Sequence, residues 1–363
     1  MLAEERREVL VRLVERRGAI KVKDAAEEMG VSAVTVRQDV RELAGRGLIV
    51  RVHGGAMSPT AAQAAVVAAP AVPRPGTRQG GAFGLIVPPG GYYYPEIIRG
   101  VQDAARTRGV RIVLAVSGET LADNQEQVRR LIAAGVDGLL LMPRAGLEPV
   151  GLAEEWLAGL EIPVVLVDRR AGSQAGRLEQ VASDHAYGAG LAVRHLAELG
   201  HGRIALVARA ESPNTPLIHE GYTAACRALG LTAGPEYGVD PAEGPASAAW
   251  FEELARAVEA GGVRAALVHN DLDAVALVGF LQARGLRVPE DLAIVTYDDE
   301  VAELSDVPLT AVAPPKRAVG EWAVDLMRRR LADPAAPLAE LLLRPELRVR
   351  DSSGASAVAG ERA

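Results

Sequence analysis

The chain has 363 residues, of which 49% are hydrophobic, and this is more apolar material than one ordinary domain needs, so two or three domains are expected. Its single cysteine, Cys226, excludes an intramolecular disulfide and a multi-cysteine zinc site. No stretch approaches the roughly 20 apolar residues that span a bilayer, and the charged start lacks the apolar core of a secretion signal. We therefore expect a cytoplasmic protein without a membrane anchor.

The charge is distributed unevenly along the chain. Residues 1–57 hold 11 Lys and Arg against 9 Asp and Glu, whereas the remainder holds 29 against 38. A slightly basic N-terminal segment on an acidic body indicates that the N-terminal segment is the part that meets a polyanion.

Residues 1–57, here called the head, predict three short helices followed by a β-hairpin. Apolar residues recur at helical spacing over 4–16, and a second short helix falls within 22–30. A third helix covers 32–47, and the segment 48–56 predicts a hairpin wing. Two helices joined by a Gly-containing turn, the second rich in Arg, Gln and Thr, indicate a winged helix-turn-helix. The alternative is a solvated face on a small helical domain.

The head resembles the DNA-binding domain of the DeoR family of bacterial regulators. The matching segments are RREVLVRL, MGVSAVTVRQDVRELAGRGLI and VHGGA, and the resemblance extends over about 50 residues. The resemblance implies base or phosphate contact by the third helix and backbone or minor-groove contact by the wing. The residues carried over are Ser32, which also caps the helix, Thr35, Arg37, Gln38 and Arg41, and in the wing Arg51 and His53. The family's usual pair of arginines is here Arg37–Gln38, a departure that bears on base preference more than on the fold.

Between head and body, residues 58–82 are dominated by Pro, Ala and Gly and show no amphipathic period. This composition predicts a partly extended linker. A short Ala-rich helix over 61–69 is the alternative, because alanine is a good helix former.

From Gly84 onward, short β-branched runs alternate with helical segments, which predicts an α/β body with parallel sheets covered by helices. The predicted strands cover 84–87, 111–116, 138–142, 163–168, 180–184, 203–208, 265–270 and 292–299. The predicted helices cover 95–108, 121–134, 151–159, 185–199, 217–229, 246–260 and 272–284. Eight such strands could close a barrel or form two open sheets.

Polar residues stand at the carboxyl ends of several predicted strands, and three consecutive tyrosines, 92–94, follow the first strand. The strand-end residues are Asp168, Asp184, Asn270 and Asp298. In open parallel sheets, ligands bind in the crevice beyond these ends. Aromatic faces with carboxylates suit a small polyhydroxylated ligand, because rings cover C–H faces and carboxylates accept hydrogen bonds from hydroxyls. Each Asp has an alternative role as the N-cap of the following helix.

The sequence carries none of the common catalytic signatures. No GxGxxG follows a predicted strand, and GxxxxGK[ST], HExxH and GxSxG are absent. The six histidines are scattered singly, without metal-ligand spacing. We therefore expect no cofactor and no metal, and regard a sugar-processing enzyme with a DNA-binding appendage as the weaker alternative. A transport binding protein would suit the body alone, but not the head.

The body resembles the effector-binding domain of the LacI/GalR family, which shares its fold with periplasmic sugar-binding proteins. Among the matching words are GLIVPPGGYYYPEIIRGVQDAARTRGV, VASDHAYGAGLAVRHLAELGHGRIALV and HNDLDAVALVGFLQARGLRVPEDLAIVTYDD, within residues 84–354. The resemblance implies a cleft between two α/β lobes, and hence two sheets rather than a barrel. The crossings are expected near 168–172, 298–302 and 312–314. Lobe 1 then covers about 83–168 and 313–331, lobe 2 about 169–312 and 340–351, and a disordered tail 352–363.

The resemblance also implies which residues contact the effector: Tyr93, Tyr94, Asp168, Asp184, Asn270 and Asp298. Many members carry an Arg three residues before the Gly of an EGY-type motif, and here that position is Ile218. Several carboxylates without this Arg disfavour an anionic ligand, because an unpaired buried charge is costly. This predicts a neutral sugar, polyol or nucleoside, although Arg169 or Arg144 would restore positive charge.

Together these features predict a ligand-responsive transcriptional regulator that binds operator DNA through its head. The family implies a homodimer whose lobes close around a small effector and change the spacing of two heads. A repressor of carbohydrate-metabolism genes is expected, and an activator with the same architecture is the alternative, because the sign depends on operator position.

Overall fold

The computed structural model describes residues 3–17, 19–45, 50–52, 55–57, 81–89, 92–118, 120–142, 156–169, 178–210, 212–239 and 249–355. These residues form two compact units, the N-terminal head and a C-terminal body. Almost all of the predicted linker lies outside the described residues. No helix in the described part of the chain is long and apolar enough to cross a membrane.

The described part of the head contains three helices and three short strands. Its elements are α1 Ala3–Arg17, β1 Ala19–Lys21, α2 Val22–Met29, α3 Ala33–Gly45, β2 Val50–Val52 and β3 Gly55–Met57. The strands form an antiparallel sheet in the order β1-β3-β2, so the wing predicted from the sequence gains a third strand. Strand β1 was not predicted because three residues are too few to show an alternating pattern.

The head core is made of the apolar faces that the helical spacing predicted. Leu10 and Leu13 of α1 pack with Val36, Val40 and Leu43 of α3. The predicted cap is present, since the Thr35 backbone N–H donates to Ser32 Oγ at 3.1 Å. A buried Asp39 on α3 accepts from Arg6 Nε at 2.5 Å, which ties α3 to α1. These contacts fix α3 as a stable helix on the surface of the head.

The described residues of the body form two six-stranded sheets, which confirms the prediction of two open sheets and excludes a single barrel for them. The first has the order β14-β8-β7-β6-β4-β5, and the second the order β10-β9-β11-β12-β13-β15. The strands are β4 Ala82–Val87, β5 Arg111–Val116, β6 Gly138–Leu141, β7 Val164–Val167, β8 Glu179–Ser183, β9 Arg203–Arg209, β10 Thr232–Val239, β11 Ala265–His269, β12 Ala293–Tyr297, β13 Thr310–Ala313, β14 Glu340–Leu343 and β15 Glu346–Arg348. The second sheet is parallel except for β15, which runs antiparallel to β13.

Among the residues that the structure describes, seven longer helices flank these sheets. They are α4 Tyr94–Thr107, α5 Leu121–Ala133, α6 His185–Glu198, α7 Thr215–Leu229, α8 Ala249–Glu259, α9 Asp271–Ala283 and α10 Lys316–Ala332. Each predicted helix of the body has its counterpart here, except that the described part of the predicted 151–159 segment holds only a short turn of helix at 156–158.

The boundary between the two lobes differs from the prediction. The strand β8 lies beside β7 in the first sheet, so the chain first crosses at Asp184 and not near 168–172. The segment 298–302 joins two strands of the second sheet and is not a crossing. The sequence shows where strands are but not which sheet they join, because β7 and β8 are both short, buried, parallel strands.

The C-terminal segment also differs from the prediction. The segment 340–351, predicted to lie in lobe 2, in fact holds two strands, β14 in the first sheet and β15 in the second. The predicted disordered tail begins too early, since Ser352 and Ser353 are buried. Ser352 Oγ donates to the Ile294 carbonyl oxygen at 2.6 Å, which anchors this segment on the second sheet. Residues 356–363 lie outside the described part.

Helices α4 and α10 approach each other so closely that their backbones touch at glycines. A Cβ at Gly100 would clash with the Arg317 carbonyl oxygen, and one at Gly320 with the Ile97 carbonyl oxygen. Both helices begin beside the carboxyl ends of the strands, so this contact sets the position of their first residues there.

We expect Gly100→Ala to destabilise the body by about 1–3 kcal/mol, because the added methyl group must push α4 away from α10. Gly279→Ala is the matched control, since Gly279 is exposed on α9 and a Cβ added there would meet nothing within 4 Å. That variant is expected to gain about 0.5–1 kcal/mol from helix propensity. Urea unfolding measures both, and equal stability of the two variants would contradict this account of the helix contact.

Candidate ligand cleft and DNA-binding head

The carboxyl ends of β7 and β8 in the first sheet and of β11 and β12 in the second meet at one place, and this place is called the cleft. Asp168, Asp184, Asn270 and Asp298 directly follow these four strands. The first residues of α4 and α10 reach the same place. Tyr93 Oη donates to Asp168 Oδ1 at 3.3 Å, and the rings of Tyr93 and Tyr94 meet edge to face at 5.6 Å.

Asp168 is a buried carboxyl group that is only partly satisfied. It is 2% exposed, and Oδ2 has no hydrogen-bond partner among the described residues. Burial raises the pKa of Asp168 to about 6, against the opposing effect of the Arg169 charge. Its backbone has a φ of 57°, in the left-handed region that Asp and Asn tolerate better than most residues.

Asp298 is the second buried carboxyl group of the cleft. Burial, together with the charges of Asp271 and Asp168, raises its pKa to about 8, against the opposing effect of the Lys316 charge. Lys316 Nζ donates to the Asp298 backbone carbonyl oxygen and pairs with Glu300 Oε1 at 2.5 Å. The same ammonium group lies 5.1 Å from the centre of the Tyr93 ring. Lys316 is therefore already engaged by the protein.

Asp184 and Asn270 act as helix caps, the alternative role considered for strand-end residues. Asp184 Oδ1 accepts from the Tyr187 backbone N–H at 3.0 Å at the start of α6. Asn270 Oδ1 accepts from the Asp273 backbone N–H at 3.4 Å at the start of α9. Both residues lie beside the cleft, and their contact with an effector stays a prediction.

Arg169 bridges the two lobes beside Tyr94. Its Nη2 donates to Tyr94 Oη at 3.3 Å and its Nη1 to Asn214 Oδ1 at 3.2 Å. Arg209 pairs with Asp273 through two bonds of 2.6 and 2.8 Å. Ile218, which stands where many LacI/GalR members carry an Arg, is fully buried in the core of the second lobe. Arg144 lies outside the described residues.

A second contact between the lobes was not predicted from the sequence. Tyr92 Oη donates to Asp271 Oδ1, and Asp271 is completely buried. Asp271 Oδ2 accepts from the backbone N–H groups of Glu300, Val301 and Ala302 at 2.6, 2.7 and 3.1 Å. The run of three tyrosines drew attention to Tyr92 in the sequence. No local pattern indicated that Asp271, next to Asn270, is its hydrogen-bond acceptor.

The raised pKa of Asp298 makes the stability of the body depend on pH. The folded protein keeps this proton up to about pH 8, whereas an unfolded Asp releases it near 3.8, so the folded state holds more protons across that interval. Histidines of the unfolded chain, with an ordinary pKa near 6.5, are already mostly neutral above pH 7, so they offset this effect only in part. Stability is therefore expected to fall as pH rises from 7 to 8, by at most about 1.4 kcal/mol per pH unit from this group.

Urea unfolding at pH 7 and pH 8 checks this dependence in the ligand-free protein. Asp298→Asn, which cannot lose a proton, is expected to show a smaller decline than the unmodified protein. An identical decline in both proteins would show that the Asp298 carboxyl does not titrate in this interval.

The head places the predicted DNA-contacting residues on α3 and the wing. Ser32 is exposed at the start of α3, its Oγ 2.8 Å from Thr35 Oγ1, and Gln38 is exposed one turn further on. Arg37 and Arg41 also lie on α3 and Arg51 on β2, while His53 falls outside the described residues. In the part of the chain that the structure describes, no group of three or more His, Cys, Asp or Glu could hold a metal ion.

Two family models match the chain. A DeoR-like helix-turn-helix domain matches residues 6–62, and a periplasmic binding protein-like domain matches residues 193–353. The HTH-type transcriptional repressor PurR of Aliivibrio salmonicida (strain LFI1238) is 30% identical over 267 residues, which cover 72% of this chain and 77% of the relative. The HTH-type transcriptional repressor CytR of Escherichia coli (strain K12) is 28% identical over 286 residues, covering 72% and 76%.

A solved structure extends the similarity to the whole architecture. The complex of the transcriptional regulator CelR with cellobiose has a TM-score of 0.65 and 27% identity, and the match covers 92% of this chain and 99% of that chain. A helix-turn-helix head and a two-lobed body with a polar cleft define a ligand-responsive, DNA-binding transcriptional repressor rather than an enzyme. The chain belongs to the LacI family, with a DeoR-like head.

Proposed function

We propose that the cleft binds a neutral, polyhydroxylated ligand, a sugar, polyol or nucleoside, and that this binding changes the affinity of the head for operator DNA. The observation that supports a neutral ligand is that the described part of the cleft has an unpaired acidic group, whereas its cations are already paired. Asp168 Oδ2 lacks a partner among the described residues, while the cations Arg169, Arg209 and Lys316 already bind protein groups. A neutral ligand supplies hydroxyl donors, whereas an anion would face buried acidic groups and no free cation among the described residues.

The proposed effector contacts are Tyr93 and Tyr94 as an aromatic wall, with Asp168, Asp184, Asn270 and Asp298 as hydrogen-bonding groups. Tyr93 and Asp168 come from the first lobe, whereas Asn270 and Asp298 come from the second. A ligand bound by both sets favours the closed arrangement of the lobes. The solved complex of CelR with cellobiose supports a carbohydrate as the ligand class.

The proposed DNA contacts are Ser32, Thr35, Arg37, Gln38 and Arg41 of α3, with Arg51 and His53 of the wing. We infer a cytoplasmic homodimer, because two heads related by a two-fold axis read two operator half-sites about one helical turn apart. A 100-fold difference in effector affinity between the two arrangements of the lobes would supply about 2.7 kcal/mol of coupling to the DNA. Regulation of carbohydrate or nucleoside metabolism genes follows from the proposed ligand class.

A thermal-shift series tests the ligand class. The purified full chain is heated with cellobiose, D-ribose, adenosine, D-glucose 6-phosphate and D-ribose 5-phosphate. A neutral ligand at 100 times its Kd is expected to add about 2.7 kcal/mol of stability, whereas the two phosphates add none. Stabilisation by a phosphate alone would overturn the argument from the charges of the cleft.

A further inference from the structure

A buried aromatic group lies directly under the cleft. His185 begins α6 just after Asp184, His269 ends β11 just before Asn270, and Tyr297 ends β12. The centre of the Tyr297 ring is 5.7 Å from the centre of each imidazole ring. The two histidines are only 2% and 4% exposed. The repressor function by itself gives no role to either of them.

The hydrogen bonds of Tyr297 fix the tautomer of His185. Tyr297 Oη donates its single proton to the His185 carbonyl oxygen at 3.2 Å. His185 Nδ1 lies 3.2 Å from the same Oη, so Nδ1 must be the donor in that bond. Burial, with smaller contributions from His269, Arg169 and Lys316, lowers the pKa of His185 to about 3, so the imidazole is neutral. Its Nε2 is therefore a bare acceptor.

Three imidazole or carboxyl atoms in this region lack a hydrogen-bond partner among the described residues, as does the hydroxyl of the neighbouring Ser183: they are His185 Nε2, His269 Nδ1 and Asp168 Oδ2. Each belongs to a side chain more than nine-tenths buried. His269 Nε2 lies 3.9 Å from Asp298 Oδ2, too far for a hydrogen bond, and burial lowers the pKa of His269 to about 4. Buried polar atoms in native proteins normally have partners, so this group of three points to a ligand that supplies them.

We propose that His185 and His269 form the hydrogen-bonding floor of the effector site, with His185 Nε2 accepting from a hydroxyl or N–H donor of the ligand. The inference rests on the proposed function and narrows it. The effector must place a donor at its buried end, beside the C–H face that the tyrosines cover. A site that needs such a donor strongly rejects an analogue without it, because the acceptor would then stay buried and unpaired.

Calorimetric titration of the full chain with cellobiose, D-ribose and adenosine tests the floor. His185→Phe and His269→Phe keep an aromatic ring and remove its nitrogens, and each is expected to raise the Kd of the probe that binds by about 10- to 100-fold. His201→Phe is the matched control, because His201 lies before the amino end of β9, away from the cleft. The control is expected to keep the Kd within about twofold.

If His185→Phe fails to fold, His185→Gln takes its place, and the tautomer is read separately by NMR of the protein labelled with ¹⁵N-histidine. An unprotonated Nε2 of His185 that shifts when the probe binds supports the proposal. A protonated Nε2, or folded variants whose Kd stays within twofold, would overturn it while leaving the ligand class intact. Failure of all three probes to bind would overturn the proposed ligand class, and the floor with it.

Discussion

Replacing Asp298 with asparagine is expected to weaken effector binding by about 10- to 100-fold and to leave operator affinity unchanged. Asp298 is 4% exposed, and its carboxyl group has no cation within hydrogen-bonding distance among the described residues, so we expect a bound ligand to be its hydrogen-bonding partner. Asparagine keeps the size of the side chain and tolerates the backbone φ of 88° at this position. The variant therefore replaces one oxygen of the carboxyl group with an amide N–H donor without straining the chain.

Asp306→Asn is the matched control for this variant, since Asp306 is an exposed carboxylate in the same lobe. Calorimetry with the neutral ligand that stabilises the protein gives the effector affinity, and fluorescence anisotropy with labelled duplex DNA gives the operator affinity. An Asp298→Asn protein that still responds to the same ligand concentration would remove Asp298 from the effector site.

Arg41→Ala is expected to lower operator affinity by about tenfold or more and to leave effector affinity intact. Arg41 lies on α3, the helix that the DeoR-like motif assigns to the major groove. If Arg41 contacts a base, its removal costs about 1–3 kcal/mol of binding free energy and weakens the preference for the base at that position. If it contacts a phosphate, its removal weakens binding to all sequences and reduces the slope of log K against log salt concentration by about one. Binding measured at several salt concentrations separates these two roles.

Arg12→Ala removes an equivalent charge from the exposed surface of α1 and serves as the control. It is expected to reduce operator affinity much less than Arg41→Ala. If Arg41→Ala weakened operator and effector binding equally, the cause would be unfolding, and the assignment of α3 would lose its support.

The elements of the body could be predicted from the sequence where their signal is local. Buried strands such as β6 and β12 are continuous apolar runs between turn residues, and their predicted bounds differ from the structure by only a residue or two. The edge strand β10 was missed because its sequence, TAGPEYGV, contains two glycines and a proline and is mostly exposed. Strands β13 and β14 were also not predicted as separate strands.

The site was predictable in part. Polar residues at strand ends located the cleft, because the carboxyl ends of parallel strands share one edge. Their individual roles were not predictable, since a capping Asp184 and an unpartnered Asp168 look alike in sequence. The pairing of Tyr92 with Asp271 joins residues 179 positions apart, and no local pattern carries such a contact.

The central claim is that a ligand in the cleft changes how the head binds DNA. The most direct measurement is the affinity of the full chain for a duplex that it selects from a random pool, with and without the neutral ligand that raises its melting temperature. We predict at least a tenfold change in the Kd for DNA, absent in Asp298→Asn. An unchanged Kd with the cleft saturated would contradict the account.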